Sequence, residues 1–114
     1  MHFTNVIFNL LDNAVKYRRE DVPLSLFIST RILSDDKVEI AIRDNGIGIK
    51  KDDLKKIFDK FYRVSTGNRH DVKGFGLGLA YVYKIIKDHK GTIRAESELN
   101  EGSTFIITLP LIKE

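Results

Sequence analysis

The stretch Val38-Glu39-Ile40-Ala41-Ile42-Arg43-Asp44-Asn45-Gly46-Ile47-Gly48 decides the fold of this chain. Val38, Ile40 and Ile42 alternate, so they share one face of a β-strand. Asp44 continues the alternation, and the apolar face therefore ends in a carboxylate. A half-buried carboxylate needs a hydrogen-bond donor. The amino group of a bound base is one candidate, and the amides of its own turn are another. Asn45-Gly46 and Gly48 break the strand into a tight turn that lets a flat ring approach the backbone. On this stretch alone, the two readings of Asp44 stand level.

The neighbouring segments extend the pattern. Leu24, Leu26, Ile28, Thr30 and Ile32 alternate as a preceding strand, and Ser34-Asp35-Asp36-Lys37 reads as the turn of a hairpin. Upstream, Phe3, Val6, Ile7, Leu10, Leu11, Ala14 and Val15 recur at helical spacing and predict a helix from Phe3 to about Arg18. Downstream, a short helix is expected from about Asp52 to Phe58. It should bury Leu54, Ile57 and Phe58, with Asp52 near its cap and Phe61 and Tyr62 extending the stripe. Val64 to Lys73 is polar and aperiodic and reads as a mobile loop. A second long helix is expected from Leu77 to about His89, closed by Lys87, Lys90 and Gly91. Two strands follow, Thr92–Ser97 and Ser103–Leu109, joined at Asn100-Glu101-Gly102. The order predicts an α+β two-layer sandwich in which a mixed, mostly antiparallel sheet packs on helices.

The bulk numbers agree with one domain. The chain has 114 residues, 42% of them hydrophobic, which supports a single packed core. With no cysteine there is neither a disulfide framework nor a thiolate metal site, which suits a reducing cytoplasm. The charge of +3 is too slight for the dense basic stripe of a nucleic-acid binder. No run approaches the roughly 20 apolar residues of a membrane span, so no membrane contact by this chain is expected, and no secretory signal pattern opens it.

Two further segments carry chemistry. Asn9, Asn13 and Lys16 share one face of the first helix, opposite the apolar stripe. Each mid-helix Asn costs roughly 0.5 kcal/mol against Ala. An amide oxygen can ligate Mg²⁺, which prefers oxygen donors and phosphate partners, and Lys16 can neutralise phosphate. A solvated polar face is the other reading. Gly74-Phe75-Gly76-Leu77-Gly78 opens a helix, where free N–H groups and the positive dipole end suit phosphate. It is neither a P-loop nor a dinucleotide fingerprint, because the spacing and the preceding element are wrong.

The ordered set is more specific than its parts. Asn9-Leu10-Leu11-Asp12-Asn13-Ala14-Val15-Lys16-Tyr17 resembles the N box of sensor histidine kinases. Asp44 to Ile49 resembles their first glycine box, Phe58-Asp59-Lys60-Phe61-Tyr62-Arg63 their aromatic F box, and Gly74 to Leu79 their second glycine box. The resemblance covers nearly the whole chain and includes Gly102-Ser103-Thr104-Phe105.

It implies a Bergerat-type ATP-binding fold. Asn9 and Asn13 would hold Mg²⁺ and phosphate oxygens, Lys16 would pair with phosphate, and Tyr17 would flank ribose or phosphates. Asp44 would accept the adenine amino proton, with Gly46 and Gly48 shaping the base pocket. Gly74, Gly76 and Gly78 would support the phosphate tail beside the Leu77 and Leu79 backbone. Ile49, Phe58 and Thr104 complete the expected cofactor contacts. Residues 64–73 would be the ATP lid, with Arg63 and Lys73 near the γ-phosphate and Arg69 solvated. Asn9, Lys16, Arg63 and Lys73 would act in the transfer itself.

The implied reaction is γ-phosphoryl transfer from ATP to a histidine on a separate dimerisation and phosphoacceptor domain, with a response regulator as onward partner and a cytoplasmic location. Asn9 stands where several related ATPases carry a Glu that activates water, and Asn cannot serve as that base; this favours transfer over hydrolysis. His70-Asp71 lacks the proline that follows a family acceptor, His89 reads as a helix-end residue, and His2 lies at the chain start, so the acceptor is expected elsewhere. Relatives carry a strand before the first helix, so that strand is expected to be missing here. The competing readings are a nucleotide-binding module without transfer, and an ATPase or serine kinase of the same superfamily.

Overall fold

The computed structural model describes residues 2–59 and 78–111. The loop at 64–73, Arg63, Lys73, Gly74, Gly76, Leu77, and the stripe residues Phe61 and Tyr62 lie outside the described residues.

Helix α1 spans His2–Lys16 and hairpin strands β1 and β2 span Leu26–Ser34 and Lys37–Asp44. Short helix α2 (Lys51–Leu54), helix α3 (Gly78–Asp88), and strands β3 (Thr92–Glu98) and β4 (Gly102–Pro110) complete the described elements. The sheet order is β1-β2-β4-β3, and all three pairings are antiparallel. The mixed sheet expected from the sequence is thus fully antiparallel among the described residues. β4 enters between β2 and β3, because α3 carries the chain across the sheet before the second hairpin forms.

One layer is this sheet; the other is α1 with α3. Val6, Leu10 and Ala14 of α1 are buried, as are Val82, Ile85 and Ile86 of α3. All of these but Ala14 join Ile42, Ile93, Phe105 and Ile107 from the sheet in one core cluster. In register, Ile42 lies opposite Phe105 and Ile40 opposite Ile107, so the alternation read from the sequence is the core face. At about 25 cal/mol per Å² of apolar area removed from water, this face is the main stabilising term.

The short helix is shorter than expected. α2 stops at Leu54, and the chain continues to Asp59 in single turns, with the Lys56 amide on Asp53 O at 2.8 Å and the Asp59 amide on Lys56 O at 2.9 Å. Asp52 is not its cap: the cap position is Lys50, with no side-chain hydrogen bond. Ile57 is still buried, and Leu54 and Phe58 still pack on the core.

The end of α3 also differs. The left-handed residue is Lys90 at φ 63°, not Gly91. The Gly91 amide reaches Ile86 O at 2.9 Å and the Lys90 amide reaches Lys87 O at 2.9 Å, the double bond of a Schellman ending. His89 joins it: Nδ1 lies 2.8 Å from Ile85 O, and since a carbonyl only accepts, Nδ1 carries the proton.

β1 is exposed at every residue, and Phe27, Ile28 and Ile32 are each more than half exposed. It is one edge of the described sheet.

Candidate functional site

The site assembles from backbone contacts before any side chain. The Ile47 amide donates to Tyr17 O at 3.0 Å, fixing the 44–48 turn to the end of α1. The Asn100 amide donates to Ile47 O at 2.8 Å, fixing the β3–β4 turn to the same residue. Arg19 Nη1 donates to Asn100 O and closes the loop of contacts. Glycine permits this meshing. Gly48 has φ +80°, and a Cβ there would stand 2.1 Å from Glu98 O. Gly102 has φ +125°, and a Cβ there would stand 2.0 Å from Asp44 O. Two turns, about 50 residues apart in sequence, thus lie backbone against backbone.

Asp44 is 8% exposed, at the end of the apolar strand face as the alternation indicated. Its Oδ1 accepts the Gly46 amide at 2.8 Å, and the Ser103 amide also donates to the carboxylate. The self-capping reading is therefore realised in the fold. Burial pushes the carboxyl above the usual aspartate range, against the Gly46 and Ser103 amides, which pull it down. A carboxylate has room for further donors beyond these two, so turn-capping and ligand acceptance are compatible.

Asn45 has a separate task. Its Oδ1 accepts the Ser25 amide at 2.8 Å and its Nδ2 donates to Pro23 O at 3.0 Å. It clamps the segment before β1 to the turn. Neither this clamp nor the Arg19 tether has a local sequence signal, because both partners lie far along the chain.

On α1, Asn9 Nδ2 donates to Asn5 O at 2.7 Å. That bond fixes the amide and leaves Oδ1 on the side of Gly78, whose Cβ position lies 3.3 Å from it. The N box therefore meets the first residue of α3. Asn5 Nδ2 reaches the Tyr81 hydroxyl at 3.4 Å and joins the same two helices. Asn13 is half-buried on the same face. Lys16 pairs with Asp12 at 3.1 Å, with both side chains well exposed, so its ammonium can leave for a better anion at little cost. Tyr17 is half-buried and supplies the carbonyl that holds Ile47.

The remaining expected contacts are distributed as follows. Gly46 packs on Tyr17 O, with its Cβ position 2.6 Å away. Ile49 and Leu79 pack on the core, and the Ile49 amide donates to Ser97 Oγ at 2.7 Å. Phe58 packs on the core, with its ring centroid 6.4 Å from that of buried Phe105 and 5.7 Å from that of exposed Tyr83. Thr104 requires a correction. In register it opposes Arg43 and Glu96, so its side chain is on the face away from Asp44. Ser103, paired with Asp44 and Ser97, is the hydroxyl residue on the Asp44 side.

Among the described residues no group of three or more His, Asp or Glu side chains could hold a metal by itself. Amide oxygens such as that of Asn9 fit a hard cation that keeps other oxygen ligands from phosphate or water. No helix of the described residues is long and apolar enough to cross a membrane.

Residues 1–113 match the family described as histidine kinase-, DNA gyrase B-, and HSP90-like ATPase. The chain is 70% identical over 113 residues to Sensor protein RprX of Bacteroides fragilis, covering 99% of this chain and 22% of that protein. It is 39% identical over 107 residues to Sensor protein kinase WalK of Staphylococcus saprophyticus, covering 94% of this chain and 17% of that protein. The chain thus spans about a fifth of the length of these relatives. Among solved structures, it is similar to mycobacterial sensor histidine kinase MprB, with a TM-score of 0.83 at 26% identity, covering 96% of this chain and 72% of that one. It is also similar to the catalytic domain of histidine kinase ThkA, with a TM-score of 0.76 at 31% identity, covering 96% and 67%. Full-length ShkA, solved in complex with AMPPNP, matches with a TM-score of 0.81 at 25% identity, covering 99% and 22%.

Proposed function

The chain belongs to the histidine kinase-, DNA gyrase B-, and HSP90-like ATPase family, and from that premise we propose that it is the ATP-holding module of a sensor histidine kinase. In this reading it binds Mg-ATP and presents the γ-phosphoryl group to a histidine on the dimerisation and phosphoacceptor domain of its parent protein. The phosphoryl group then passes to a response regulator.

The observation that carries the reading is convergence. Gly46 packs on the Tyr17 carbonyl, and Asn9 Oδ1 faces Gly78. The end of α1, the 44–48 turn and the start of α3 therefore surround one region, and the three segments match the three boxes. The buried Asp44 carboxylate is suited to the adenine amino group. The first amides of α3 are suited to phosphate oxygens.

Asn9 and Asn13 would hold Mg²⁺ together with phosphate oxygens, and the ion would neutralise charge as the phosphoryl group leaves. Lys16 exchanges Asp12 for phosphate. Asn9 has no proton-accepting basicity, so water is not activated from this helix face and the phosphoryl group is kept for an acceptor. Arg63 and Lys73 are assigned to the γ-phosphate on resemblance alone.

The test is binding of an ATP analogue with and without Mg²⁺, repeated on Asp44→Asn. A loss of at least tenfold, about 1.4 kcal/mol, is expected for the variant. Unchanged affinity removes Asp44 from the adenine role. Transfer is tested by adding the histidine-bearing helical domain of the parent protein. Acid-labile, base-stable label should appear on that domain and not on this chain alone.

A further inference from the structure

Ser97 was not among the residues the sequence singled out, yet its hydroxyl joins the turns that build the base pocket. Its Oγ accepts the Ile49 amide at 2.7 Å. It donates to Gly102 O at 2.8 Å. It also lies 2.8 Å from Ser103 Oγ. A hydroxyl has one hydrogen and two lone pairs. The Gly102 carbonyl can only accept, so it takes that hydrogen, and the Ser103 hydroxyl must donate to Ser97. The hydroxyl is therefore saturated: one bond given and two received.

Each partner leads to the pocket. Ile49 follows the 44–48 turn and packs on the core. Gly102 is the residue whose Cβ position abuts Asp44 O. Ser103 supplies the backbone amide that holds the Asp44 carboxylate. In register, Ser97 opposes Ser103, which in turn opposes Asp44. Three strands thus present Ser97, Ser103 and Asp44 in one row across the sheet.

We propose that Ser97 is a positioning residue for adenine selection: its hydroxyl locks the 44–49 turn to the β3–β4 turn and so fixes where the Asp44 carboxylate stands. The inference rests on the reading of Asp44 as the adenine acceptor. Adenine offers an amino donor at the position where guanine carries a carbonyl oxygen. A carboxylate held in place attracts the first and repels the second. A carboxylate free to shift discriminates less, so loosening the lock lowers selectivity more than it lowers general phosphate binding.

The experiment uses the full chain and its variants Ser97→Ala and Ser97→Cys. Cysteine keeps the side-chain size with a far weaker hydrogen-bonding group, and it carries the comparison should the alanine variant not fold. Affinities for non-hydrolysable ATP and GTP analogues are measured for each, with amide hydrogen exchange at Ile49 and thermal unfolding. Wild type is expected to prefer the ATP analogue. Both variants should lose roughly three- to tenfold of that preference, the range set by one hydrogen bond, and the Ile49 amide should exchange faster. Ser97→Thr, which keeps the hydroxyl, should restore both. Variants that lower the melting temperature but keep wild-type selectivity assign Ser97 a purely structural role and overturn the proposal, while leaving Asp44 as acceptor. A wild-type chain with no preference for adenine overturns the Asp44 reading and this inference together.

Discussion

Replacing Gly48 by alanine tests the backbone meshing of the 44–48 turn with the β3–β4 turn. The new Cβ would lie 2.1 Å from Glu98 O, 2.7 Å from Glu98 C and 2.9 Å from Leu99 Cα, all of them backbone atoms that cannot rotate away. Ordinary contact begins near 3.4 Å, so the β3–β4 turn must withdraw by more than an ångström. The φ of +80° adds a left-handed penalty of roughly 1–2 kcal/mol for a non-glycine residue. Forcing packed groups apart adds roughly 1–3 kcal/mol. The expected destabilisation is therefore about 2–5 kcal/mol, a large share of the roughly 5–15 kcal/mol available to a domain. At about 4–8 °C per kcal/mol for a small domain, the melting temperature should fall by about 8 °C or more. Gly78→Ala is the contrast. Among the described residues its Cβ would meet Asn9 Oδ1, at 3.3 Å, at the first residue of α3, where the helix-interior preference for Ala over Gly of roughly 0.5–1 kcal/mol applies only in part. That variant should stay within about 1 kcal/mol of wild type in stability, yet bind nucleotide less well because Asn9 is displaced. Urea denaturation followed by circular dichroism, with analogue binding on the folded variants, measures both. Gly48→Ala within about 0.5 kcal/mol of wild type would show that the two turns do not mesh as described.

Three more outcomes are expected. Asp44 titrates above the usual aspartate value of 3.8 because it is buried. Its contribution to stability is therefore full below the unfolded value and is lost as pH rises through the folded one. Nucleotide affinity should run the other way, since accepting the adenine amino group needs the carboxylate, and should fall with decreasing pH before ordinary aspartates protonate; both trends should vanish in Asp44→Asn. Lys16→Ala removes only an exposed ion pair with Asp12. Its stability should change by less than about 1 kcal/mol, while analogue affinity drops severalfold in calorimetry; an unchanged affinity takes Lys16 out of phosphate binding. Lys90→Gly relieves a left-handed lysine at the end of α3 and should stabilise the fold by roughly 0.5–1 kcal/mol in denaturant titration. A destabilised variant would mean that the Lys90 side chain supports the fold in some other way.

What the sequence disclosed follows from the range of the interactions. Period-two alternation is local, so the core face of β2 and the burial of Asp44 at its end were readable from residues 38–44. The helical stripe of α1 was readable in the same way, and the polar face opposite it pointed to Asn9. Ser97, Asn45 and Arg19 were not readable, because each acts on a backbone group many residues away. Thr104 was placed in the pocket on resemblance. Strand register assigns that side to Ser103, since a shift of one residue turns a side chain to the opposite face. α2 is shorter than the helical stripe of Leu54, Ile57 and Phe58 predicts. Single turns carry the same residues onto the core without a continuous helix.

The position of β4 has a consequence for how the chain is made. Of the described strands, synthesis delivers β1 and β2 first, and their hairpin is local. β3 has no hydrogen-bonded neighbour in the described sheet except β4, and β4 is the last of the described strands in sequence. Until residues 102–110 have been made, Ile42 lacks Phe105 and Asp44 lacks the Ser103 amide. The nascent chain must therefore hold an apolar hairpin and two amphipathic helices without the strand that unites them. Such states expose hydrophobic surface and favour chaperone capture over early closure. The hydrogen bonds of the Asp44 carboxylate are therefore completed only when residues 102–110 join the sheet.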